Sequence, residues 1–83
     1  MMYELTQHAR DVLKDRAIQP EWLERALENP SRVEPDKDDP GVQHHLKEIP
    51  EYGNRVLRVV VDPRITPVRI ITVYFDRKMK GML

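Results

Sequence analysis

The chain contains no cysteine, so no disulfide can stabilise it, and this composition is compatible with a reducing compartment. Its first residues lack the basic start and apolar run of a signal peptide. No apolar stretch approaches the roughly 20 residues that are needed to cross a bilayer. We therefore expect a soluble, cytoplasmic protein without a membrane partner. The 83 residues suffice for a single domain, residues 1–83, with a stability of about 4–8 kcal/mol.

The chain also has no net charge, but its charges are unevenly distributed. Residues 1–34 carry a net charge of −2, residues 35–54 carry −3, and residues 55–83 carry +5. Local clusters of Lys and Arg provide the phosphate contacts of proteins that bind nucleic acids. The C-terminal third is therefore the part expected to attract a polyanion, unless its arginines serve only to keep an exposed sheet face soluble.

A first helix is predicted to begin after Thr6, whose hydroxyl can cap it, and to run to about Arg16. Its buried stripe recurs at helical spacing and consists of Leu5, Ala9, Val12 and Leu13. His8 and Arg16 lie one turn to either side of Val12, so the three share a ridge at the edge of this stripe. His8 is thus either an acid–base group at the sheet margin or a half-buried histidine bonded to a backbone carbonyl.

A second helix is predicted to begin at Pro20, which suits a first turn, and to end at Asn29-Pro30. Trp22 lies on its apolar face, and we expect it to anchor the core rather than to stack on a nucleotide base. Residues 31–34 are predicted to form a short edge strand. The acidic segment 35–41 is interpreted as a solvated loop, because its carboxylates lack the spacing of a calcium-binding EF-hand.

The segment 42–49 has the weak alternation of a strand, in which His44 and His45 point to opposite faces. Adjacent strand histidines make a poor metal site, and the chain has neither cysteine nor two histidines at helical spacing. We therefore predict no metal and no other cofactor. One of the two histidines is expected to face a polar surface near Arg58, and the pattern leaves open which one.

Two runs rich in β-branched and aromatic residues, 55–62 and 68–76, are predicted to pair as antiparallel strands at the centre of the sheet. Strict alternation assigns an apolar set to one face, consisting of Leu57, Val59, Val61, Ile71, Val73 and Phe75. The opposite set mixes apolar and polar side chains: Val56, Arg58, Val60, Asp62, Ile70, Thr72, Tyr74 and Asp76. We expect the first face to be a core wall and the second to be a working surface.

A basic tail follows these strands and includes Arg77 and Lys78. It is expected either to fray or to cover the edge of the sheet. The predicted fold class is α+β, with two N-terminal helices packed on one face of a three- to four-stranded antiparallel sheet.

The order of several short segments resembles a known family. These segments are His8-Ala9-Arg10, Asp15-Arg16-Ala17-Ile18, Leu27-Glu28-Asn29-Pro30, Val59-Val60-Val61 and Ile71-Thr72-Val73-Tyr74. The family is domain of unknown function 4258, which the chain resembles over nearly its whole length. It is placed near the RelE/ParE and BrnT toxins, which are small ribonuclease-like α+β proteins. Two features depart from this pattern: Gln19 is a weak helix cap, and the neutral net charge is unlike that of many RNA-cleaving toxins.

The resemblance implies a RelE-like fold and a site that includes His8, Arg16, one of His44 and His45, Arg58 and the region of Tyr74. The first functional hypothesis is a metal-independent endoribonuclease or toxin-like protein that uses the 2′-hydroxyl of RNA as its nucleophile. Its candidate acid–base groups are His8, His44, His45 and Tyr74, and its candidate phosphate-binding groups are Arg16, Arg58, Arg77 and Lys78.

The alternative is a non-catalytic module that binds a protein or a nucleic acid through the same face, as an inactive toxin-like partner of an antitoxin would. A purely structural role is a third possibility. The sequence predicts neither the oligomeric state nor the RNA substrate.

Overall fold

The computed structural model describes residues 2–83, which form two helices and a five-stranded sheet. The elements are β1 (Tyr3–Leu5), α1 (Gln7–Asp15), α2 (Pro20–Glu28), β2 (Arg32–Pro35), β3 (Gln43–Ile49), β4 (Arg55–Asp62) and β5 (Val68–Phe75). Single 3₁₀ turns follow β3, at Pro50–Tyr52, and β5, at Arg77–Met79; we call the latter the C-terminal turn. The strand order is β1-β5-β4-β3-β2. Because β1 runs parallel to β5 and the other pairs are antiparallel, the sheet is mixed.

The α+β class is confirmed, but the expected sheet of three or four antiparallel strands is wrong. The additional strand is β1, which has only three residues and is too short to show an alternating pattern. Leu5 belongs to this strand rather than to α1, although it packs against the same core. In the described residues 2–83, no helix is long and apolar enough to span a membrane.

Both helices begin and end close to the predicted positions. Thr6 caps α1, Pro20 begins α2 and Asn29 is its C-cap, as predicted, while Gln19 makes no side-chain cap bond. The helices pack on the same face of the sheet, α1 against β5 and α2 against β3 and β4. Trp22 is buried in this core, where it stacks on Tyr52 and meets Phe75 edge-on. It therefore anchors the core, as expected.

The sheet side away from the helices is called the open face below. The strand register assigns to it a set of side chains from β2 to β5, namely Glu34, His44, Leu46, Val56, Arg58, Val60 and Tyr74. Leu46 and Val56 are fully buried there, and the C-terminal turn contacts β4. The tail therefore covers part of this face instead of leaving a wholly exposed working surface.

A β-bulge in β5 changes which residues enter the core. Thr72 pairs with Val60, whereas Ile70 pairs with Val61, so Ile71 is an extra residue without a counterpart in β4. Ile70 consequently shares the buried face with Val61 and is fully buried. The predicted assignment of Ile71 to the core face and Ile70 to the other face is wrong, because strict alternation assumes an uninterrupted ladder.

Thr6 connects the start of α1 to this bulge. Its hydroxyl accepts a hydrogen bond from the amide of Ala9 at 3.0 Å and donates one to the carbonyl of Ile71 at 2.9 Å. Its own amide donates to the carbonyl of Ile70 at 3.1 Å. One side chain therefore fixes both the first turn of α1 and the distance between this helix and β5.

We expect Thr6→Ala to lower the free energy of unfolding by about 1–2 kcal/mol, because it removes the helix cap and the donor to the Ile71 carbonyl. Urea denaturation measures this change. Thr6→Ser retains the hydroxyl and should cost much less. Equal losses for the two variants would show that the methyl group of Thr6, and not its hydrogen bonds, matters.

Candidate functional site

A groove of about 710 Å³ lies between α1, the second half of β5 and the C-terminal turn, and we call it the α1–β5 groove. From α1 and its C-cap residue it is lined by His8, Val12 and Arg16. Their spacing of four residues brings them onto one row of the helix surface, as the sequence predicted. From β5 and the residues after it, the lining includes Tyr74 and Arg77. The groove therefore brings together four of the candidate site residues.

Four cationic side chains line the groove: Arg16, Arg55, Arg77 and Lys80. Within residues 2–83, none of these four forms an ion pair, whereas five arginines outside the groove each pair with a carboxylate: Arg25, Arg32, Arg58, Arg64 and Arg69. Among the described lining residues, Asp76 is the one carboxylate, and Arg58 already holds it at 2.9 Å. The groove therefore has an uncompensated positive charge.

His8 lies at the side of this groove and is exposed to solvent. Its Nε2 is 3.0 Å from the hydroxyl oxygen of Thr72, so the imidazole is oriented by a hydrogen bond to β5. The partner is a side-chain hydroxyl and not a backbone carbonyl. An accessible imidazole next to several cations is able to accept a proton from a bound molecule.

Two tyrosines border the same groove. Tyr74 is 42% exposed and Tyr52 is 40% exposed. The guanidinium of Arg55 lies over the ring of Tyr52, 4.4 Å from its centre. Because Trp22 and Arg55 already lie against the ring of Tyr52, the ring of Tyr74 is the one that offers a stacking surface for a nucleotide base next to contacts for its phosphate.

His44 and Arg58 lie on the open face and do not line the groove. Arg58 Nη1 donates to His44 Nδ1 at 2.9 Å. Since a guanidinium has only donors, Nδ1 is the nitrogen without a proton, and His44 Nε2 donates to Asp36 at 2.7 Å. This hydrogen bond from His44, together with the backbone amides of Asp39 and Asp38, lowers the pKa of Asp36. Both ring nitrogens of His44 are therefore engaged.

The guanidinium of Arg58 has further partners. Its Nε donates to Asp76 Oδ2 at 2.9 Å, its Nη2 lies 2.9 Å from the same oxygen as an ion pair, and its Nη1 lies 3.4 Å from Glu34 Oε1. The side chain is only 12% exposed. A phosphate could reach this arginine only by displacing carboxylates that are already bound.

His45 points to the opposite side of the sheet from His44, as predicted, and lies beneath α2. Its Nδ1 donates to the backbone carbonyl of Ala26 at 3.1 Å. Lys78 is exposed on the C-terminal turn but does not line the groove. The eight candidate residues therefore do not share one sheet face: four line the α1–β5 groove, and the others lie outside it.

Sequence reasoning did not include Arg55, Lys80 and Thr72 among the site residues. Lys80 belongs to the basic tail, whose path the pattern left open. Arg55 alternates with the apolar set of Leu57 and Val59, so the pattern did not assign it to the polar surface. The available signal was the charge of +5 in residues 55–83, which supplies three of the four groove cations.

A second hollow, of about 500 Å³, is lined by Arg25, Lys47 and Leu83 among others, and contains none of the candidate residues. Arg25 is bonded there to Glu51, and these hydrogen bonds lower the pKa of Glu51 to about 2. Across residues 2–83, no group of three His, Cys, Asp or Glu side chains is arranged to hold a metal ion.

The comparisons with known proteins identify one family. The search of curated proteins and the search of solved structures find no match. A protein-family model, Domain of unknown function (DUF4258), matches residues 5–75. This range includes His8, Arg16 and Tyr74 and ends before the C-terminal turn. Because the match spans most of the chain, the protein belongs to the DUF4258 family.

Proposed function

We propose that this protein binds RNA in the α1–β5 groove and cleaves it without a metal ion. The observation that carries the proposal is the convergence of four unpaired cations with the exposed imidazole of His8 in one groove. Phosphodiesters are the common biological ligands that use such an excess of positive charge along a groove. RNA also carries its own nucleophile, so the protein needs no covalent catalytic residue.

Each part of the groove has a role in this proposal. Arg16 and Arg77 bind phosphate oxygens through their forked donors, and Lys80 adds a point charge. The ring of Tyr74 stacks on a base of the bound strand. His44, His45 and Arg58 have no part in substrate contact, since their polar atoms are bonded elsewhere.

The proposed reaction is an intramolecular transesterification. His8 accepts the proton of the 2′-hydroxyl, and the 2′-oxygen attacks the adjacent phosphorus while the bond from phosphorus to the 5′-oxygen breaks. The leaving 5′-oxygen takes a proton from the hydroxyl of Tyr74 or from water. The groove cations stabilise the extra negative charge on the phosphorane. The products are a 2′,3′-cyclic phosphate and a 5′-hydroxyl end.

The resemblance to the RelE/ParE and BrnT toxins supports a toxin role within this proposal. Two helices against one face of an α+β sheet are compatible with the ribonuclease-type fold of those proteins. In this role the protein would be paired with an antitoxin protein. A short acidic or DNA-binding protein encoded by the adjacent gene would support such a partnership.

We expect removal of three groove cations to weaken RNA binding at least 10-fold. The variant is Arg16→Gln, Arg77→Gln and Lys80→Gln in one chain. Because fewer counterions are released, the slope of log K against log salt should become less negative by about 2 for a single-stranded RNA. Fluorescence anisotropy with a labelled short RNA, between about 50 and about 200 mM salt, measures both quantities.

The matched control removes the same charge from positions outside the groove. It combines Arg10→Gln, Lys14→Gln and Lys37→Gln, which also carry no ion pair within the described residues. The RNA affinity of this control should stay within about 3-fold of the parent, because lowering the net charge weakens the attraction for RNA only slightly when the groove is intact. Equal losses in the two variants would mean that binding depends on net charge and not on the groove.

Binding without cleavage is the second candidate function, and one observation favours it. His8 is the one histidine among the described residues that line the groove, so a second imidazole does not serve as the acid. A purified chain that binds RNA in the groove but yields no cyclic-phosphate product would identify the protein as a binding module.

A further inference from the structure

We infer that Arg58 is a positioning residue for the α1–β5 groove. By holding Asp76, it fixes the C-terminal turn that brings Arg77 and Lys80 to the groove. The RNA measurements that test this inference rest on the proposed function, whereas its structural measurement does not.

Asp76 is the residue that joins β5 to the C-terminal turn. Its amide donates to the carbonyl of Val56 at 2.8 Å, which anchors it to β4. Its Oδ1 accepts a hydrogen bond from the amide of Lys78 at 3.0 Å, and its carbonyl accepts one from the amide of Met79 at 3.2 Å. The side chain of Asp76 therefore caps the turn and determines the direction in which the tail leaves the sheet.

Arg58 holds the other oxygen of this carboxylate, Oδ2 of Asp76, through a hydrogen bond from Nε at 2.9 Å and an ion pair with Nη2 at 2.9 Å. The remaining contacts of the guanidinium keep it in place: His44 Nδ1 lies at 2.9 Å and Glu34 Oε1 at 3.4 Å. His44 is in turn fixed by Asp36. A continuous row of polar contacts thus crosses the open face, from the loop after β2 to the tail.

The turn needs this support because it is short and lies near the chain end. A 3₁₀ turn of three residues has too few internal hydrogen bonds to persist alone, and chain ends fray unless they are attached. The tail has another attachment, from Arg32 Nη2 to the carbonyl of Met82, but it is 3.3 Å long and exposed. The bond from Arg58 to Asp76 is shorter and far less exposed.

The positive charge of the groove depends on the bond between Arg58 and Asp76 because of the order of residues in the tail. Arg77 and Lys80 both come after Asp76, and together they are two of the four groove cations. If the turn is released, these two charges become mobile, and the RNA loses fixed phosphate contacts. Arg16, the C-cap of α1, and Arg55, the first residue of β4, keep their positions.

The variant Arg58→Met keeps the length of the side chain but removes every donor. We expect hydrogen exchange at the amides of Lys78 and Met79 to accelerate at least 10-fold, while the amides of β4 near Val59 remain protected. RNA affinity should fall about 3- to 10-fold, with a less negative salt slope. Arg64→Met serves as the control, because Arg64 pairs with Asp39 and Asp62 outside the groove, and it should change neither quantity.

A double-mutant cycle tests whether Arg58 affects RNA binding by positioning the C-terminal turn. Removing the two tail cations, with Arg77→Gln and Lys80→Gln, should reduce RNA affinity several-fold less in the Arg58→Met background than in the parent. Additive effects would overturn the inference, because they would mean that Arg58 acts independently of the tail. Unchanged exchange at Lys78 and Met79 would also overturn it.

Two further outcomes are distinguishable. If Arg58→Met loses its fold, Asp76→Asn provides the hydrogen-exchange measurement, since it retains an acceptor for the Lys78 amide but loses the charge that Arg58 binds. If the parent protein fails to bind RNA while exchange at the turn still accelerates in the variant, the proposed function is refuted and the control of the turn by Arg58 is upheld.

Discussion

Replacement of His8 by glutamine should slow RNA cleavage by about 10²- to 10⁴-fold while changing RNA affinity by less than about 3-fold. The amide of glutamine can retain the hydrogen bond to Thr72, but it cannot accept the proton of the 2′-hydroxyl. Single-turnover cleavage of an end-labelled RNA, with the cyclic-phosphate product resolved on a gel, measures the rate. The same RNA with a 2′-deoxy sugar at the cleaved position should not react.

The control for this experiment is His45→Gln. His45 lies beneath α2 and donates to the carbonyl of Ala26, a bond that a glutamine amide is able to replace. Its cleavage rate should remain within about 3-fold of the parent once folding has been verified. If His8→Gln cleaves as fast as the parent, or if both variants slow equally, His8 is not the base.

The second large effect concerns stability and the bulge in β5. Ile70→Ala should cost about 2–5 kcal/mol, because Ile70 is fully buried between the sheet and the helices. Ile71→Ala should cost about 1 kcal/mol or less, since the bulge turns this half-buried residue away from Val61. The two variants delete the same atoms from adjacent positions, so their difference reports the local register.

Thermal and urea denaturation measure this pair. For a chain of this size, a loss of about 3 kcal/mol lowers Tm by more than about 10 °C. A domain with about 4–8 kcal/mol of stability should then be partly unfolded at moderate temperatures. A greater loss for Ile71→Ala than for Ile70→Ala would mean that the ladder is uninterrupted and that the bulge is absent.

Local signals explain why much of the fold was predictable. Thr6, Pro20 and Asn29-Pro30 mark the ends of the helices through capping and proline chemistry, which depends only on neighbouring residues. Strand β4 was predicted with its correct bounds because every second side chain is large and apolar. In contrast, β1 pairs in parallel with a strand more than 60 residues away. A three-residue segment is too short for its sequence to indicate this pairing.

The candidate site was likewise predictable only where it depends on residues that are close in sequence. His8, Val12 and Arg16 lie on one helical row, so their grouping follows from spacing alone. The opposite wall depends on how the tail returns along the sheet, and this is a tertiary property. Arg58 was interpreted as a phosphate-binding group although alternation placed Asp76 on the same face, because the sequence does not give the strand register that brings the two side chains within 2.9 Å.

The charge pattern was informative only in aggregate. Residues 55–83 carry +5, but Arg58, Arg64 and Arg69 in this part are each paired with carboxylates in the fold. Arg55 and Arg77 remain unpaired and line the groove. Net charge therefore indicated the correct third of the chain, while pairing, which depends on cross-strand neighbours, determines which cations are available to a ligand.

The most direct test of the central claim is a titration of the ¹⁵N-labelled protein with a short single-stranded RNA, followed by amide chemical shifts. The claim predicts that shift changes concentrate at His8, Arg16, Arg55, at 72–77 and at Lys80. It also predicts that the edge strand β2 and the acidic loop 35–41 remain unperturbed. Changes confined to those two segments would contradict the assignment of RNA binding to the α1–β5 groove. The absence of any shift change, at RNA concentrations that saturate binding in the anisotropy measurement, would contradict it as well.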